Sequence, residues 1–357
     1  MFPYWTLFAV FAAGAVQYRP DARRMIQGGP LLLAMALATA VMIGLRYRVG
    51  GDWNTYLENM RVIADRELLQ GAFLQDPAYG AMNWAFGRMG IGIWAVNLFC
   101  ALIFTWGLLR FARRQPNPWL VMVIAVPYLI IVVAMGYTRQ AVAIGLILAA
   151  LADLENRSLT RFVVFILVAA AFHKSAIVIV PLVALTATRR RIVTIAVLAL
   201  SAVLVYYLFV QASLEKLSAG YIEQQYNSQG AAIRVAMNLP PAIIFMLFRR
   251  RFGLSPQQSS LWRNFSLASF VALVMLFLSA SSTAVDRLAL YLIPLQMMVL
   301  GRLPSAFPER QRFNSRLMLL VVIYSAFIQF VWLNYAANAS YWVPYRLGLA
   351  SLDDELQ

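Results

Sequence analysis

Long apolar runs separated by short charged breaks make up most of this chain. About 20 apolar residues suffice for a helix to cross a bilayer, and inside a membrane a helix satisfies its own backbone hydrogen bonds. The pattern therefore predicts an all-α polytopic integral membrane protein, a single membrane domain over residues 1–357 with about 12 transmembrane helices. The expected spans are residues 2–17, 25–45, 91–109, 118–135, 139–154, 160–172, 175–188, 192–210, 235–248, 264–281, 287–301 and 317–334.

Prolines inside several spans are expected to kink or interrupt them, because proline removes a helical hydrogen bond and clashes with the preceding turn. They are Pro127, Pro181, Pro240, Pro241 and Pro294. Such interruptions occur where a bundle shapes a cavity. A simple lipid-facing kink is the alternative at each position.

Residues 46–90 are too polar to span and are predicted to form an outer loop with amphipathic surface helices. After Asp52, an apolar stripe of Tyr56, Met60 and Ile63 follows helical spacing. A second surface helix is expected at residues 77–89, which supply aromatic side chains suited to a membrane interface. Residues 211–234 are predicted to form a second outer loop, which is either sugar-binding or simply solvated.

Composition agrees with a membrane protein, with 62% hydrophobic and 13% charged residues. The net charge of +15 follows topology, since the breaks assigned to the cytoplasm hold most of the basic residues and few of the acidic ones. Both termini are then expected outside, and a nucleic-acid partner is not expected. The single cysteine, Cys100, excludes an intrachain disulfide.

The only histidine interrupts an apolar run over residues 162–188. Because Arg161 precedes the run and Arg189 follows it, both of its ends belong on the cytoplasmic side. As a helix the run reaches about 40 Å, whereas two full crossings need about 60 Å. This predicts a short hairpin with His173 at a tip sunk below the outer surface. One long tilted helix with a buried, hydrogen-bonded histidine is the alternative.

Four helices are expected to begin at the outer face with a cation, and no acidic excess accompanies them. The cations are Arg139, Lys174, Arg234 and Arg287. Helix N-termini attract anions, and a guanidinium adds bidentate geometry for phosphate oxygens. Together they favour binding of a phosphorylated lipid at the outer leaflet. For any one alone, snorkelling to lipid headgroups is the alternative.

Few side chains near these cations can accept a proton. His173 suits proton transfer near neutral pH, or orientation of a substrate hydroxyl. Asp52 either positions an acceptor or caps the first surface helix, and Asp286 is expected to pair with a cation. One histidine and no carboxylate cluster with ligand spacing give no reason to expect a metal or other cofactor.

Five short motifs, taken in order, resemble the signatures of EpsG-type, Wzy-like bacterial exopolysaccharide and O-antigen polymerases. They lie at residues 49–56, 138–143, 171–176, 286–287 with Tyr291, and 344–345, and so cover nearly the whole chain. Such families are similar to GT-C glycosyltransferases, multi-helix membrane enzymes that act on polyprenyl-diphosphate-linked sugars without a metal. The resemblance therefore implies a GT-C-like fold.

The resemblance also implies a reaction: a growing glycan moves from undecaprenyl diphosphate onto a lipid-linked repeat unit at the periplasmic face of the bacterial inner membrane. The implied partners are lipid-linked oligosaccharide, membrane lipid and other polysaccharide export components. We expect four residues to act in catalysis: His173, Asp52, Arg139 and Arg287. We expect eight to bind substrate: Lys174, Arg234, Arg46, Arg48, Tyr56, Gln140, Asp286 and Tyr345.

Two other classes of function remain open. A flippase or other transporter could have twelve spans and a cationic cavity, although no two-fold repeat between the halves is apparent. A membrane acyltransferase would also use a histidine, near an early span with an adjacent acid.

Overall fold

A computed structural model of the protein describes residues 1–18, 29–154, 159–187, 203, 230–279, 282–307 and 311–348. Within these residues every regular element is helical, and the one strand-like contact is an isolated antiparallel bridge between Arg46 and Leu347. The α-helices are α1 (Phe2–Gln17), α2 (Gly29–Gly44), α3 (Trp53–Ala64), α4 (Leu68–Phe73), α5 (Pro77–Arg88), α6 (Ile93–Ala112), α7 (Pro118–Ala125), α8 (Thr138–Asp153), α9 (Leu159–Phe172), α10 (Ile179–Ala187), α11 (Ala231–Ala236), α12 (Leu239–Phe248), α13 (Pro256–Leu278), α14 (Ser282–Ala289), α15 (Ile293–Arg302) and α16 (Gln311–Tyr335).

Apolar helices occupy every expected span that the structure describes. In the described ranges, five helical stretches are long and apolar enough to cross a membrane by length and composition. They are Ile93–Ala112, Ala231–Phe252, Pro256–Leu278, Ser282–Ala306 and Asn314–Tyr335. Six shorter apolar stretches are Phe2–Gln17, Gly29–Gly44, Pro118–Ala134, Thr138–Ala152, Arg161–Phe172 and Lys174–Thr186. The expected span at 192–210 and most of the loop at 211–234 lie outside the described residues, so the count of twelve crossings stays a prediction.

The chain divides into two compact units. The first comprises Met1–Ala176 and Arg310–Gln357, and the second comprises Ile177–Glu309. In the first unit, α8 packs against α6 and α9, and α6 packs against α2. Helices α6 and α8 approach so closely that a methyl group added at Gly107 would collide with the carbonyl oxygen of Gly145. Small residues at a crossing are how membrane helices bring their backbones together.

The outward side of α2 is apolar and exposed, as expected of a helix that faces lipid. Leu31, Leu33, Leu37 and Val41 are all exposed on it, whereas Leu32 and Ala36 are buried against the unit. An apolar face of this kind would be unfavourable in water, and lipid is the environment that it fits.

Proline interrupts the helix that follows α6, as the sequence predicts. Pro127 lies at the start of a π-helix, Val126–Ala134, that continues directly from α7. A π-helical stretch changes the backbone hydrogen-bond pattern, and here the carbonyl of Ile131 accepts a hydrogen bond of 2.7 Å from the indole Nε1 of Trp342. The C-terminal segment is thereby anchored to the middle of an apolar helix.

In the second unit, prolines again mark the helix breaks. Pro240 lies in the first turn of α12, which is separated from α11 by Met237 and Asn238. Pro294 is the second residue of α15, which follows a 3-10 turn at Leu290–Leu292. Helix α13 packs against α10 and α12, and α11 packs against α14. An apolar cavity of about 440 Å³ lies in this unit, with α10, α13 and α14 contributing its lining.

Candidate functional site

The surface segment after α2 forms helices where the sequence predicts them, and one more. Helix α3 buries Tyr56, Met60 and Ile63, the expected apolar stripe, and α5 occupies the second expected helix. The additional short helix, α4, exposes Leu69 and Phe73. All three pack together, and α5 also contacts α6 and α9, so this segment is fixed on the ends of the bundle helices.

The loop that carries Asp52 is held by the C-terminal segment. The backbone N–H of Gly50 donates to the carbonyl of Tyr341 at 2.9 Å, and Tyr47 N–H donates to Arg346 at 3.0 Å. Gly50 has φ 104°, and a methyl group there would strike the carbonyl oxygen of Met135. Only glycine fits this conformation and this close approach, which gives a structural reason for the glycine of the first motif.

Arg46 is buried in the same loop with neutral partners. Its side chain is 1% exposed, and the guanidinium donates to the carbonyls of Ile43 (2.6 Å) and Val49 (3.2 Å). The second terminal nitrogen donates to Thr138 Oγ1 at 2.8 Å and to Asn97 Oδ1 at 3.3 Å. Burial lowers the pKa of Arg46 from its ordinary value. This network favours a structural role, joining α2, α6 and α8, over contact with substrate.

The chain is interrupted at the histidine. Helix α9 ends at Phe172, His173 N–H donates to Ala169 at 2.9 Å, and a 3-10 helix begins at Lys174. The helix is therefore interrupted at His173, and the short hairpin with His173 at its tip stays a prediction. We call residues 173–175 the histidine turn. Its imidazole is half-buried, and Nδ1 lies 2.7 Å from the hydroxyl of Ser175.

A carboxylate that the sequence did not single out joins the histidine turn to the start of α8. Asp76 Oδ2 accepts from Arg139 Nη1 at 2.9 Å, and Asp76 Oδ1 accepts from the backbone N–H of Lys174 at 3.1 Å. The expectation that the outer cations lack an acidic counterpart is therefore wrong for Arg139. The side chain of Arg139 remains 29% exposed, whereas that of Asp76 is 9% exposed.

Two opposing effects act on the Asp76 carboxyl. Burial raises the pKa of Asp76 above its ordinary value, because the charged form loses water. The Arg139 guanidinium and the Lys174 N–H act in the opposite direction by stabilising the carboxylate. Asp76 is thus a desolvated acid whose charged form depends on these two donors.

Aromatic residues of the surface helices surround Arg139. Its guanidinium carbon lies 5.9 Å from the ring centre of Tyr79, and Tyr79 lies 5.9 Å from the ring of Tyr56. Burial, and then the neighbouring Asp52, raise the pKa of Tyr56 to about 12, whereas Arg139 lowers it. Arg139, Tyr56 and Asp52 therefore belong to one electrostatic neighbourhood, as expected of parts of a single site.

The other predicted site residues of the first unit differ in their burial and in their hydrogen-bond partners. Asp52 occupies the N-cap position of α3, but its side chain makes no capping hydrogen bond. Arg48 is exposed, with its guanidinium 5.2 Å from the ring of Tyr47. Gln140 is buried, and the hydroxyl of Tyr345 donates to the carbonyl of Met42 at 2.9 Å. Burial raises the pKa of Tyr345 to about 12.

The second unit holds the remaining predicted residues. Asp286 pairs with Arg234 in a bidentate contact, with Nε to Oδ1 at 2.7 Å and Nη2 to Oδ2 at 2.6 Å. The expected ion pair of Asp286 with a cation is therefore confirmed. Both side chains are 9% exposed, whereas Arg287 is exposed on α14.

Sequence reasoning missed Asp76 because its local pattern is ordinary. An aspartate before a proline is a common helix start, and Asp76 does occupy the N-cap position of α5. The weak signal available was that an acid lay between two predicted surface helices opposite a set of cations. Among the described residues, no group of three or more His, Cys, Asp or Glu side chains could hold a metal ion.

Comparisons with known proteins bear on the whole chain. Neither the curated proteins nor the solved structures include a match. The model of the EpsG family matches residues 31–347, a range that contains most of α2, all of α3 to α16 and every site residue described above. The chain therefore belongs to the EpsG family.

Proposed function

We propose that this protein is a polysaccharide polymerase, a glycosyltransferase that moves a growing glycan from undecaprenyl diphosphate onto a lipid-linked repeat unit at the periplasmic face of the bacterial inner membrane. The observation that carries the proposal is the joining of Arg139 to the histidine turn through Asp76, in a chain of the EpsG family. This arrangement supplies a cation and a titratable base within one unit.

In the proposed reaction, a hydroxyl of the acceptor sugar attacks the anomeric carbon of the donor glycan. The bond from that carbon to the diphosphate oxygen breaks, and undecaprenyl diphosphate leaves. Arg139, which is partly exposed, stabilises the charge that develops on the leaving oxygen. Lys174, exposed at the start of a 3-10 helix, adds a second positive charge.

His173 is proposed to take the proton from the attacking hydroxyl. The hydroxyl of Ser175, 2.7 Å from Nδ1, is proposed to hold the imidazole in the orientation that this proton transfer requires. General-base assistance of this kind contributes roughly 100- to 10,000-fold to the rate. Asp52, beside Tyr56, is proposed to position the acceptor sugar. The exposed cation Arg287 is proposed, from its charge, to contact phosphorylated lipid.

The test is polymer formation by the purified full-length protein, reconstituted in lipid and supplied with the lipid-linked repeat unit. A ladder of products that differ by one repeat should appear, and His173→Ala protein should give none. Because guanidinium groups provide the positive charge, the ladder should persist in excess EDTA. Loss of the ladder in EDTA and its return with Mg²⁺ or Mn²⁺ would contradict the metal-independent mechanism.

The same assay separates the other two classes of function. A flippase would move the lipid-linked unit across the bilayer of the vesicle without lengthening it. An acyltransferase would change the mass of its acceptor by an acyl group instead of a sugar repeat.

A further inference from the structure

Asp76 uses its carboxylate in an unusual way for its position. It is the N-cap residue of α5, where an aspartate commonly accepts a hydrogen bond from the first turn of its own helix. Its side chain makes no such bond. Both oxygens are used on other parts of the chain, one on Arg139 of α8 and one on the Lys174 N–H of the histidine turn.

The contact fixes two groups at once. Each oxygen has its own partner, so the carboxylate cannot rotate without losing one of them. The two partners are separated from Asp76 by 63 and 98 residues. The side chain is also 9% exposed, so water cannot readily replace either partner. Asp76 thereby sets the distance between Arg139 and the histidine turn.

We propose that Asp76 is a positioning residue, which holds the Arg139 guanidinium and the His173 imidazole in the relative placement that glycosyl transfer requires. The inference rests on the proposed polymerase function. Asp76 acts through its two partners and does not itself touch the reacting atoms. Misplacement of a catalytic group by about 1 Å can cost on the order of 100-fold in rate.

The first test compares the turnover of variants of the reconstituted full-length protein. Asp76→Asn keeps the size of the side chain but has one acceptor oxygen for two donors, and its NH₂ group faces the other donor. Its kcat should fall about 100-fold, with the KM for the lipid-linked repeat unit little changed, because substrate contacts remain. Asp65→Asn is the matched control, since Asp65 is an exposed acid of the same surface segment, and its kcat should equal that of the wild type.

The double variant Asp76→Asn, Arg139→Ala distinguishes a positioning role of Asp76 from a merely structural one. If Asp76 acts through Arg139 and the histidine turn, then Asp76→Asn should lower kcat by a smaller factor in Arg139→Ala protein than in the wild type, because the part of its effect that passes through Arg139 is already lost. Independent effects that multiply would overturn the proposal. Where Asp76→Asn protein is recovered poorly, Asp76→Glu replaces it: this variant keeps the charge but moves the carboxylate by one methylene, so its kcat should fall below that of the wild type with KM little changed. A wild-type kcat in Asp76→Glu together with an additive double variant would overturn the proposal.

The second test needs no polymerase activity. His173 is the only histidine of the chain, so the ultraviolet absorbance of diethyl pyrocarbonate-modified histidine reports this residue alone. Asp76→Asn should change the modification rate of His173 several-fold, because the turn loses its anchor, and Asp65→Asn should leave it unchanged. An unchanged rate together with a normal kcat in Asp76→Asn would overturn the proposal.

The two tests also separate the two proposals. If the wild-type protein makes no polymer, the proposed function fails. The reactivity of His173 in Asp76→Asn then still decides whether Asp76 holds the histidine turn.

Discussion

Arg46 and Arg139 both lie in the first unit, but their surroundings indicate different roles, structural for Arg46 and functional for Arg139. Arg46 is 1% exposed and donates only to carbonyl, amide and hydroxyl oxygens in the contacts described above. Arg139 is 29% exposed and pairs with a carboxylate that also holds the histidine turn. A buried cation surrounded by neutral acceptors stabilises a fold, whereas a partly exposed one can also meet an anionic substrate.

Arg139→Ala should therefore lower kcat on the order of 100- to 1,000-fold, the usual cost of losing one preorganised donor to a developing negative charge. Arg139→Lys should be nearly as slow, because an ammonium group cannot reproduce the planar bidentate geometry. Both are measured by the rate of polymer formation per amount of inserted protein. Full-length polymer at the normal rate from Arg139→Ala protein would remove Arg139 from the reaction.

His173 and Asp52 should differ in their kinetic effects. His173→Ala should abolish turnover while the protein still retains lipid-linked donor, because the histidine is proposed to act on the acceptor proton. Asp52→Asn should mainly raise the KM for the acceptor, since Asp52 is proposed to position that sugar. Donor retention and initial rates measure the two effects. A near-normal rate in His173→Ala would transfer the role of base to Asp52.

At the scale of elements, the C-terminal segment after α16 is part of the folded unit rather than a tail. Trp342 donates to Ile131 in the π-helix, accepts from the hydroxyl of Tyr4 through its carbonyl at 2.7 Å, and is 3% exposed. The segment also receives the N–H of Gly50, two residues before Asp52. It therefore links the π-helix and α1 to the loop of the candidate site.

Trp342→Ala should destabilise the protein by about 3–5 kcal/mol, the usual cost of truncating a buried tryptophan. The variant should also be slower, because the Gly50 loop loses its support. Thermal unfolding in detergent measures the first effect. Trp106→Ala is the control, since Trp106 is 44% exposed on α6. Equal melting temperatures for the two variants would show that the segment contributes little.

At the scale of the whole molecule, the charge pattern predicts an orientation that the helices alone do not define. Single cysteines in a Cys100→Ser background test it. Cysteines at Ser255 and Ser315, exposed positions expected in the cytoplasm, should resist a membrane-impermeant thiol reagent in intact cells, whereas one at Glu67 should react. Reaction of the cysteine at Ser315 in intact cells would show that the late helices have the opposite orientation. Labelling of the same cysteines in permeabilised cells is the control for accessibility.

Local patterns predicted much of the fold because helices form through contacts that are close in sequence. The apolar runs, the stripe of α3 and the breaks at Pro127, Pro240 and Pro294 all depend on neighbours within one or two turns. The interruption at His173 follows the same rule, because the polar residues of the turn lie in an apolar run. The short helix α4 was missed because six residues carry too little periodicity to recognise.

By itself, therefore, the sequence determined the membrane class, most of the helices and their breaks, the family, and the residue types that could carry the chemistry. The tertiary structure decided which charges meet. Asp76 and Arg139 are 63 residues apart, and Arg234 and Asp286 are 52 apart, so no local pattern selects either pair. Burial makes an unpaired charge costly, and in these two pairs the packing of helices brings a carboxylate within reach of the guanidinium.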